Sequence, residues 1–497
     1  MTGRACCLAV LAACALPGTA AASTTQESTF QDDALLVNGS AAVQARTLDT
    51  LKALGADRVR VSLQWRLVAP APAAPVKPAG FDAANPAAYP PGAWDRYDRL
   101  VRLADARGLG VNLDLTGPAP NWATGTAPGR PDLDPSFDPS GPEFAAFVRA
   151  ASLRYPGVHY WSIWNEPNAV ASLSPQWLPD PRDPTRFVPT APQVYRRLVD
   201  AAWGALAVGG HAHDTILIGE TAPKGLLDVR GIDRSIDAQR FIRELYCVDD
   251  HLQFYVGVDA QLRGCPTTDQ VAGFVSAHPG LFSASGWAHH PYELSRAPNE
   301  RPTHADRWVT LGNLRELGAL LRRIRARYAL ASADAVPLYL TRYGYETDAD
   351  GVSPARQAEY LNQAEYLTWR NRTVRTLAQF LLADAPPVQS GLRTAKGARK
   401  PAYDAYALPV WLPSATVRRG QRLSVWGLVR AAPNARRVQV SIQVRQGPGH
   451  PWQRVARRPT TATRGYVSTS VRVRESGELR LVWNGHHSRA APFRVRS

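Results

Sequence analysis

The residues best suited to chemistry stand together in Tyr160-Trp161-Ser162-Ile163-Trp164-Asn165-Glu166-Pro167-Asn168. An apolar, aromatic strand pattern breaks there into an amide, a carboxyl and a proline. A carboxyl set against Trp164 and Trp161 is expected to be partly desolvated. Desolvation disfavours the anion and raises the pKa, as a general acid at neutral pH requires. Asn165 beside it can hydrogen-bond a ligand hydroxyl. A plainer role for Glu166, capping the loop that follows, stays open. Two more carboxyls stand where they could partner it: Glu220, in Gly219-Glu220-Thr221-Ala222-Pro223, and Glu346, four residues past Arg342. The pair His289-His290 suggests a metal, but no third ligand is spaced for one. Hydrogen bonding to ligand or core is the expectation, with no cofactor.

Short apolar runs alternate with amphipathic stretches from about Ala34 to Tyr406. Asp57–Trp65 is a strand with Val59, Val61 and Leu63 on one face and Arg60, Ser62 and Gln64 on the other. Trp94–Arg107 follows as a helix, stopped by Gly108. Further strands are expected at Gly110–Thr116, His159–Asn165, Thr215–Gly219, Phe282–His290, Pro337–Thr341 and Val374–Leu381. Helices are expected at Pro142–Tyr155, Ala191–Val208, roughly Ala305–Leu330, and Pro354–Arg370. An initial strand near Ala34–Val37 brings the strand count to eight. Eight β-then-α units predict an α/β fold, a (β/α)8 TIM barrel. A doubly wound open sheet is the rival, weakened by the lack of Gly-x-Gly-x-x-Gly after the first strand. In a barrel, chemistry sits at the carboxyl ends of the strands. Arg60, Asp114, Asn165, Glu166, Glu220, His289, His290, Tyr292, Arg342 and Gln379 fall at or near such ends. Long loops, Val68–Pro91 and Asn168–Thr190, suit an extended ligand. Trp122, Trp177, Trp287 and Tyr292 are candidate stacking platforms, with plain packing as the alternative for each.

Trp164-Asn165-Glu166-Pro167 at a fourth-strand end resembles the clan A glycoside hydrolases, including cellulase-like family 5 and family 39. Further matches fall in order. Arg60 in Val59-Arg60-Val61-Ser62 is similar to that clan's strand-two arginine. Gly286-Trp287-Ala288-His289-His290-Pro291-Tyr292 resembles its strand-six region, and Leu338-Tyr339-Leu340-Thr341 with Tyr343-Gly344-Tyr345 its strand seven. The resemblance spans about residues 34–408. It implies a (β/α)8 glycosidase acting on O-glycosidic bonds of a poly- or oligosaccharide, with Glu166 as acid/base. Arg60, Asn165, Trp122, His289, His290, Tyr292, Arg342 and Gln379 are then the expected substrate contacts.

One departure matters. The clan's strand-seven pattern is Thr-Glu-aromatic-Gly, its Glu being the nucleophile; this chain reads Thr341-Arg342-Tyr343-Gly344. A guanidinium stays protonated and has no lone pair to offer. Double displacement needs two carboxylates about 5–5.5 Å apart, and inversion about 6.5–9.5 Å. Three possibilities follow. Glu220 or Glu346 substitutes as the second carboxylate. The barrel is a degenerate glycosidase that binds glycans or the cell envelope without turnover, Arg342 locking Glu166 as an anion. Or Arg342 receives the carboxylate or phosphate of an acidic saccharide.

The chain ends carry separate signals. Residues 1–22 read as a secretory signal, with Arg4, an apolar run Ala5–Leu16 and a cut after Ala22. Leu11-Ala12-Ala13-Cys14 also resembles a lipobox, which would anchor the chain by lipid through Cys14. Cys247 and Cys265 remain, as a disulfide in an oxidising compartment or as buried thiols. Beyond the leader no apolar run reaches the ~18 residues of a membrane span. Net charge is +16, yet residues 411–497 alone hold 17 Arg against two Glu. The other 410 residues hold 41 Lys and Arg against 40 Asp and Glu. Alternating strands such as Val438–Val444 make residues 411–497 a small immunoglobulin-like β-sandwich. Its arginines form either a solvated face or a dock for an anionic cell-envelope polymer or acidic polysaccharide. Nucleic acid is disfavoured, since no aromatic-basic RNA motif is present.

Overall fold

The computed structural model describes residues 22–227, 231–266, 271–330, 335–447 and 449–497. Residues 1–21 of the expected leader, with Cys6, Cys7 and Cys14, lie outside the described residues. Eight parallel strands close into a barrel: β1 (Glu27–Gln31), β2 (Arg58–Gln64), β3 (Gly110–Thr116), β4 (Tyr160–Ile163), β5 (Thr215–Thr221), β6 (Gly286–His289), β7 (Leu338–Tyr343) and β8 (Val374–Phe380). Neighbours pair in chain order, and β8 pairs with β1 to complete the ring.

The period-two pattern of β2 is realised as read. Val59, Val61 and Leu63 join the core between barrel and helices, while Arg60 and Ser62 are buried inside the barrel. The interior has two levels. Leu217, Ala288 and Tyr339 form a separate apolar plug, with Tyr160 at its edge. Beside it lies a polar level in which the Asn112 and Ser162 side chains exchange hydrogen bonds at 3.2 and 3.3 Å. That exchange offsets the cost of burying these two polar side chains.

Three expected elements differ; the strand expected at Phe282–His290 covers only Gly286–His289, Phe282 and Ser283 ending the helix Pro279–Ser283. The first strand is Glu27–Gln31, and Asp33–Leu36 is a helical turn. Asp32 caps that turn by accepting the Leu35 N–H at 3.0 Å. A short apolar run behind a capping Asp fits strand and helix equally. The stretch Ala305–Leu330 is α-helical only over Leu314–Arg327. Asn313 donates to the Trp308 and Ala305 carbonyls at 2.9 and 3.3 Å and accepts the Thr310 N–H at 2.8 Å, which folds the preceding segment into turns. The long loop after β4 carries an antiparallel ribbon, Trp177–Asp180 with Asp183–Pro189.

The C-terminal β-sandwich packs a sheet of Val410–Trp411, Arg422–Leu428 and Tyr466–Arg472 on a second sheet. That second sheet runs Thr416–Arg418, Ala491–Arg496, Gly477–Trp483, Gln439–Arg445, Gln453–Pro459 in spatial order. Val425, Val440, Ile442, Leu479, Leu481 and Phe493 fill its own core. Trp426 and Tyr466 dock on Tyr366 and Trp369 of the helix Pro354–Trp369. Arg430 pairs with Glu365 and lies 3.9 Å over the Tyr406 ring, and Arg464 pairs with Asp57. Asp57 directly precedes β2, so the sandwich closes the amino-terminal end of the barrel and leaves the opposite mouth clear. Cys247 and Cys265 are disulfide-bonded, which fits an oxidising compartment. No helix among the described residues is long and apolar enough to cross a membrane.

Candidate functional site

The β4 exit is bent sharply. Trp164 and Glu166 adopt left-handed backbone at φ 64° and 45°, and Glu220 at the β5 exit does so at φ 44°. Non-glycine residues there carry strain that the surroundings must hold. The Glu166 N–H donates to the Glu220 carbonyl at 3.0 Å, tying the two exits together. Strand alternation turns the Trp161 indole outward, and the bend turns that of Trp164. Trp164 Nε1 donates to the Ser172 carbonyl at 3.1 Å and its ring meets Phe144 at 5.3 Å. Trp161 Nε1 donates to Asp214 at 3.1 Å. The expected aromatic wall is therefore turned into the helix layer.

What surrounds Glu166 is charge. Its side chain is 13% exposed, and Oε1 accepts from His290 Nδ1 at 2.7 Å, with Arg342 Nη1 at 3.7 Å. His290 Nε2 reaches Glu220 Oε2 at 2.8 Å. Glu220 is fully buried and also accepts from Arg60 Nη2 at 3.0 Å and Thr341 Oγ1 at 2.7 Å. Arg60 continues to Asp114 at 2.9 Å and to Asn165 Oδ1 at 2.9 Å. Acidic and basic side chains thus alternate along Asp114, Arg60, Glu220, His290, Glu166 and Arg342.

Burial pushes the Glu166 carboxyl up, but the His290 hydrogen bond and charge, then Arg342 and Arg60, outweigh it and bring it below the usual carboxylate range. The direction is opposite to the expected rise, because basic groups and not indoles flank the acid. For Glu220, burial is likewise overcome, chiefly by Arg60 and then His290, and the group is held well down. Asp114 goes the other way: burial dominates and raises it.

Arg342 lies 3.9 Å over the Phe380 ring and 5.7 Å from that of Tyr292. Its side chain is 25% exposed, and no hydrogen bond joins it to the described residues. A cavity of about 110 Å³ opens here, lined by Tyr292, Leu294, Arg342, Glu346, Phe380 and Ser390. Glu346 is partly exposed and accepts the Gln389 N–H at 3.3 Å. Asn165 uses its oxygen on Arg60 and leaves Nδ2 without an acceptor among the described residues.

Three of the expected substrate contacts face elsewhere, and the candidate platforms Trp177 and Trp287 are buried, donating to the Arg234 carbonyl at 2.6 Å and to Thr221 Oγ1 at 3.3 Å. His289 is buried, with Nε2 on the Val309 carbonyl at 3.0 Å and Nδ1 on Thr221 Oγ1 at 2.8 Å. A carbonyl only accepts, so the hydrogen is on Nε2; burial pulls this imidazole down to about 3 and keeps it neutral. Gln379 is buried and spends its amide on the Phe380 and Ser390 carbonyls at 2.7 and 3.1 Å. Trp122 packs edge-on to Trp65 and Phe81 and donates to the Pro70 carbonyl at 3.0 Å. It lines a groove of about 900 Å³ with Gly125, Ser140, Glu143 and Arg197, separate from the Arg342 cavity. Phe380 and Thr341 were missed as site residues. Phe380 adjoins the chosen Gln379, and an aromatic at a strand end was its available signal. No group of three or more His, Cys, Asp or Glu among the described residues is arranged to hold a metal.

No protein-family model matches the chain, and no curated protein matches it in sequence. Solved structures do resemble it. A family 39 glycoside hydrolase from the gut symbiont Bacteroides cellulosilyticus WH2 aligns at TM-score 0.46 and 14% identity, over 93% of this chain and 81% of that one. A GH5_18 protein from Streptomyces cattleya, solved with GlcNAc, aligns at TM-score 0.46 and 18% identity, over 78% and 79%. An endo-beta-1,4-mannanase from Thermotoga petrophila aligns at TM-score 0.39 and 12% identity, over 95% and 98%. These are likenesses of fold.

Proposed function

We propose that the chain is a secreted, glycosidase-like protein that takes a poly- or oligosaccharide at the barrel mouth and holds it without double displacement. Arg60, Asn165, Glu166, His290 and Tyr292 are the residues on which the resemblance to clan A glycosidases rests, and they converge on one end of the barrel. The observation that carries the absence of turnover is the bridge of His290 between Glu166 and Glu220, with Arg342 beside it. Glu166 rests as an anion, so it has no proton to give a leaving group. Glu220 is sealed, so it has no path to an anomeric carbon. Asn165 Nδ2, Glu166 and Arg342 instead offer one donor, one acceptor and one cation to sugar hydroxyls or to an acidic substituent.

A second reading is favoured by one observation: Glu346 is partly exposed in the same cavity as Arg342. Glu346 would then activate water while Glu166, protonated once a sugar excludes solvent, serves as the acid of an inverting hydrolase. Affinity electrophoresis and leaving-group release on a panel of polysaccharides and aryl glycosides separate the two. Binding in wild type, weakened by Glu166→Gln, with release appearing only in Arg342→Glu, is the expected result. Release by wild type that is lost in both Glu166→Gln and Glu346→Gln favours hydrolysis. Failure of wild type to bind or cleave any saccharide on the panel would remove the carbohydrate assignment.

A further inference from the structure

The second sheet of the sandwich has one face in the core and one turned away from the barrel. Strand register decides what the outer face carries. Gln443 pairs with Arg480 on one side and Arg454 on the other, and Ser441 pairs with Arg457. Leu479, Leu481, Val440 and Ile442 point inward, so these partners point outward. Across the sheet, Phe493 is in the core, which places Arg494 and Arg496 outward, and Arg418 pairs with Arg496. A single carboxylate, Glu478, shares the face, and it is spent on Arg445. Arg454, Arg457, Arg494 and Arg496 are exposed, and no side-chain hydrogen bond or ion pair joins them to the described residues. Just before the edge strand Gln453–Pro459, the Trp452 ring has two guanidinium groups over it, Arg445 at 4.8 Å and Arg480 at 4.3 Å.

We propose that this face binds a linear acidic polysaccharide bearing carboxylates or sulfates. The inference does not depend on what the barrel mouth does. Outward residues two apart on a strand are about 7 Å apart and neighbouring strands about 4.8 Å, so the arginines form a grid of fixed cations. Guanidinium groups match carboxylate and sulfate by paired N–H donors, and the four unspent forks of Arg454, Arg457, Arg494 and Arg496 await such partners. Trp452, partly exposed beside two guanidinium groups, adds apolar surface next to the grid, of use to a sugar ring between its charged substituents. Nucleic acid fits less well. The face is a flat sheet with no helix or ribbon to enter a groove, and it offers one indole where single-strand channels use successive aromatics.

The test is retention of the full chain on immobilised polygalacturonate, heparin, neutral dextran and single-stranded DNA across a salt gradient. Wild type is expected to stay on both acidic polysaccharides at about 0.15 M salt and to pass through dextran. Arg454→Ser/Arg457→Ser/Arg480→Ser should lower affinity by about tenfold or more. Trp452→Ala should weaken it severalfold. Arg436→Ser/Arg437→Ser removes charge from the loop before Gln439–Arg445 and should bind nearly as wild type. Circular dichroism and thermal melts check that each variant is folded. Equal retention on dextran, equal loss in the loop and face variants, or tighter binding to DNA than to either polysaccharide would each overturn the proposal.

Discussion

Replacing Glu220 tests whether it is a counter-ion or a reactive group. The carboxylate is fully buried and receives Arg60, His290 and Thr341 within 2.7–3.0 Å. Glu220→Ala leaves Arg60 with Asp114 and Asn165, and leaves His290 with Glu166 alone. Removing one partner of a buried pair costs about 3–5 kcal/mol, because the other charge stays buried without it. Glu220→Gln keeps the shape but turns an amide N–H toward groups that are themselves donors, so it falls in the same range. The assay is urea unfolding of the full chain, with stability taken from the midpoint at an unchanged slope. Replacing both partners, Arg60→Met with Glu220→Leu, should recover part of the loss. If Glu220→Gln unfolds at the wild-type midpoint while any glycoside release disappears, Glu220 is the attacking carboxylate and the sealed-counter-ion account is wrong.

Four further outcomes are expected. Asp32 is buried and its carboxyl is raised by that burial to about 6, so the folded state binds its proton more tightly than the unfolded chain. Its share of stability is present below the ordinary carboxylate value near 4 and is lost as pH rises through about 6, a penalty of about 3 kcal/mol above that window. Asp32→Asn should flatten the stability–pH curve between those values, read by unfolding at stepped pH. Removing Cys247–Cys265, by Cys247→Ser/Cys265→Ser or by reductant, should cost about 3 kcal/mol for its 18-residue separation, seen as a lower melting temperature. Arg430→Ala strips the buried partner of Glu365 at the barrel–sandwich contact, and limited proteolysis near residues 408–415 should accelerate at least tenfold. Arg342→Gln takes away one of the cations that hold Glu166 down, so the Glu166 carboxyl should titrate at higher pH by carbon-detected NMR.

The barrel was legible because its evidence is repetitive. Val59, Val61 and Leu63 alternate with Arg60 and Ser62, and the pattern recurs strand after strand. The site was legible as a set of strand ends, and Arg60, Glu166, His290 and Arg342 do meet. What period and spacing do not encode is the direction of a side chain at a bent exit. Trp164 sits at φ 64°, and that one backbone rotation sends its indole to Ser172 and Phe144. The same bend gives Glu166 an ionic surrounding where an apolar one was expected, which reverses the sign of its pKa shift. Register has the same effect one residue at a time, since Phe380 and not Gln379 meets Arg342. A glutamate at position 342 would have supplied the strand-seven carboxylate; an arginine there gives Glu166 a cation instead. Arg342 is thus one of the groups that lower the Glu166 pKa, after the His290 hydrogen bond and charge. Restoring the glutamate should raise the Glu166 pKa and supply the missing carboxylate together. If Arg342→Glu raises that pKa and still yields no release from any glycoside that the chain binds, a carboxylate at position 342 is not enough for turnover.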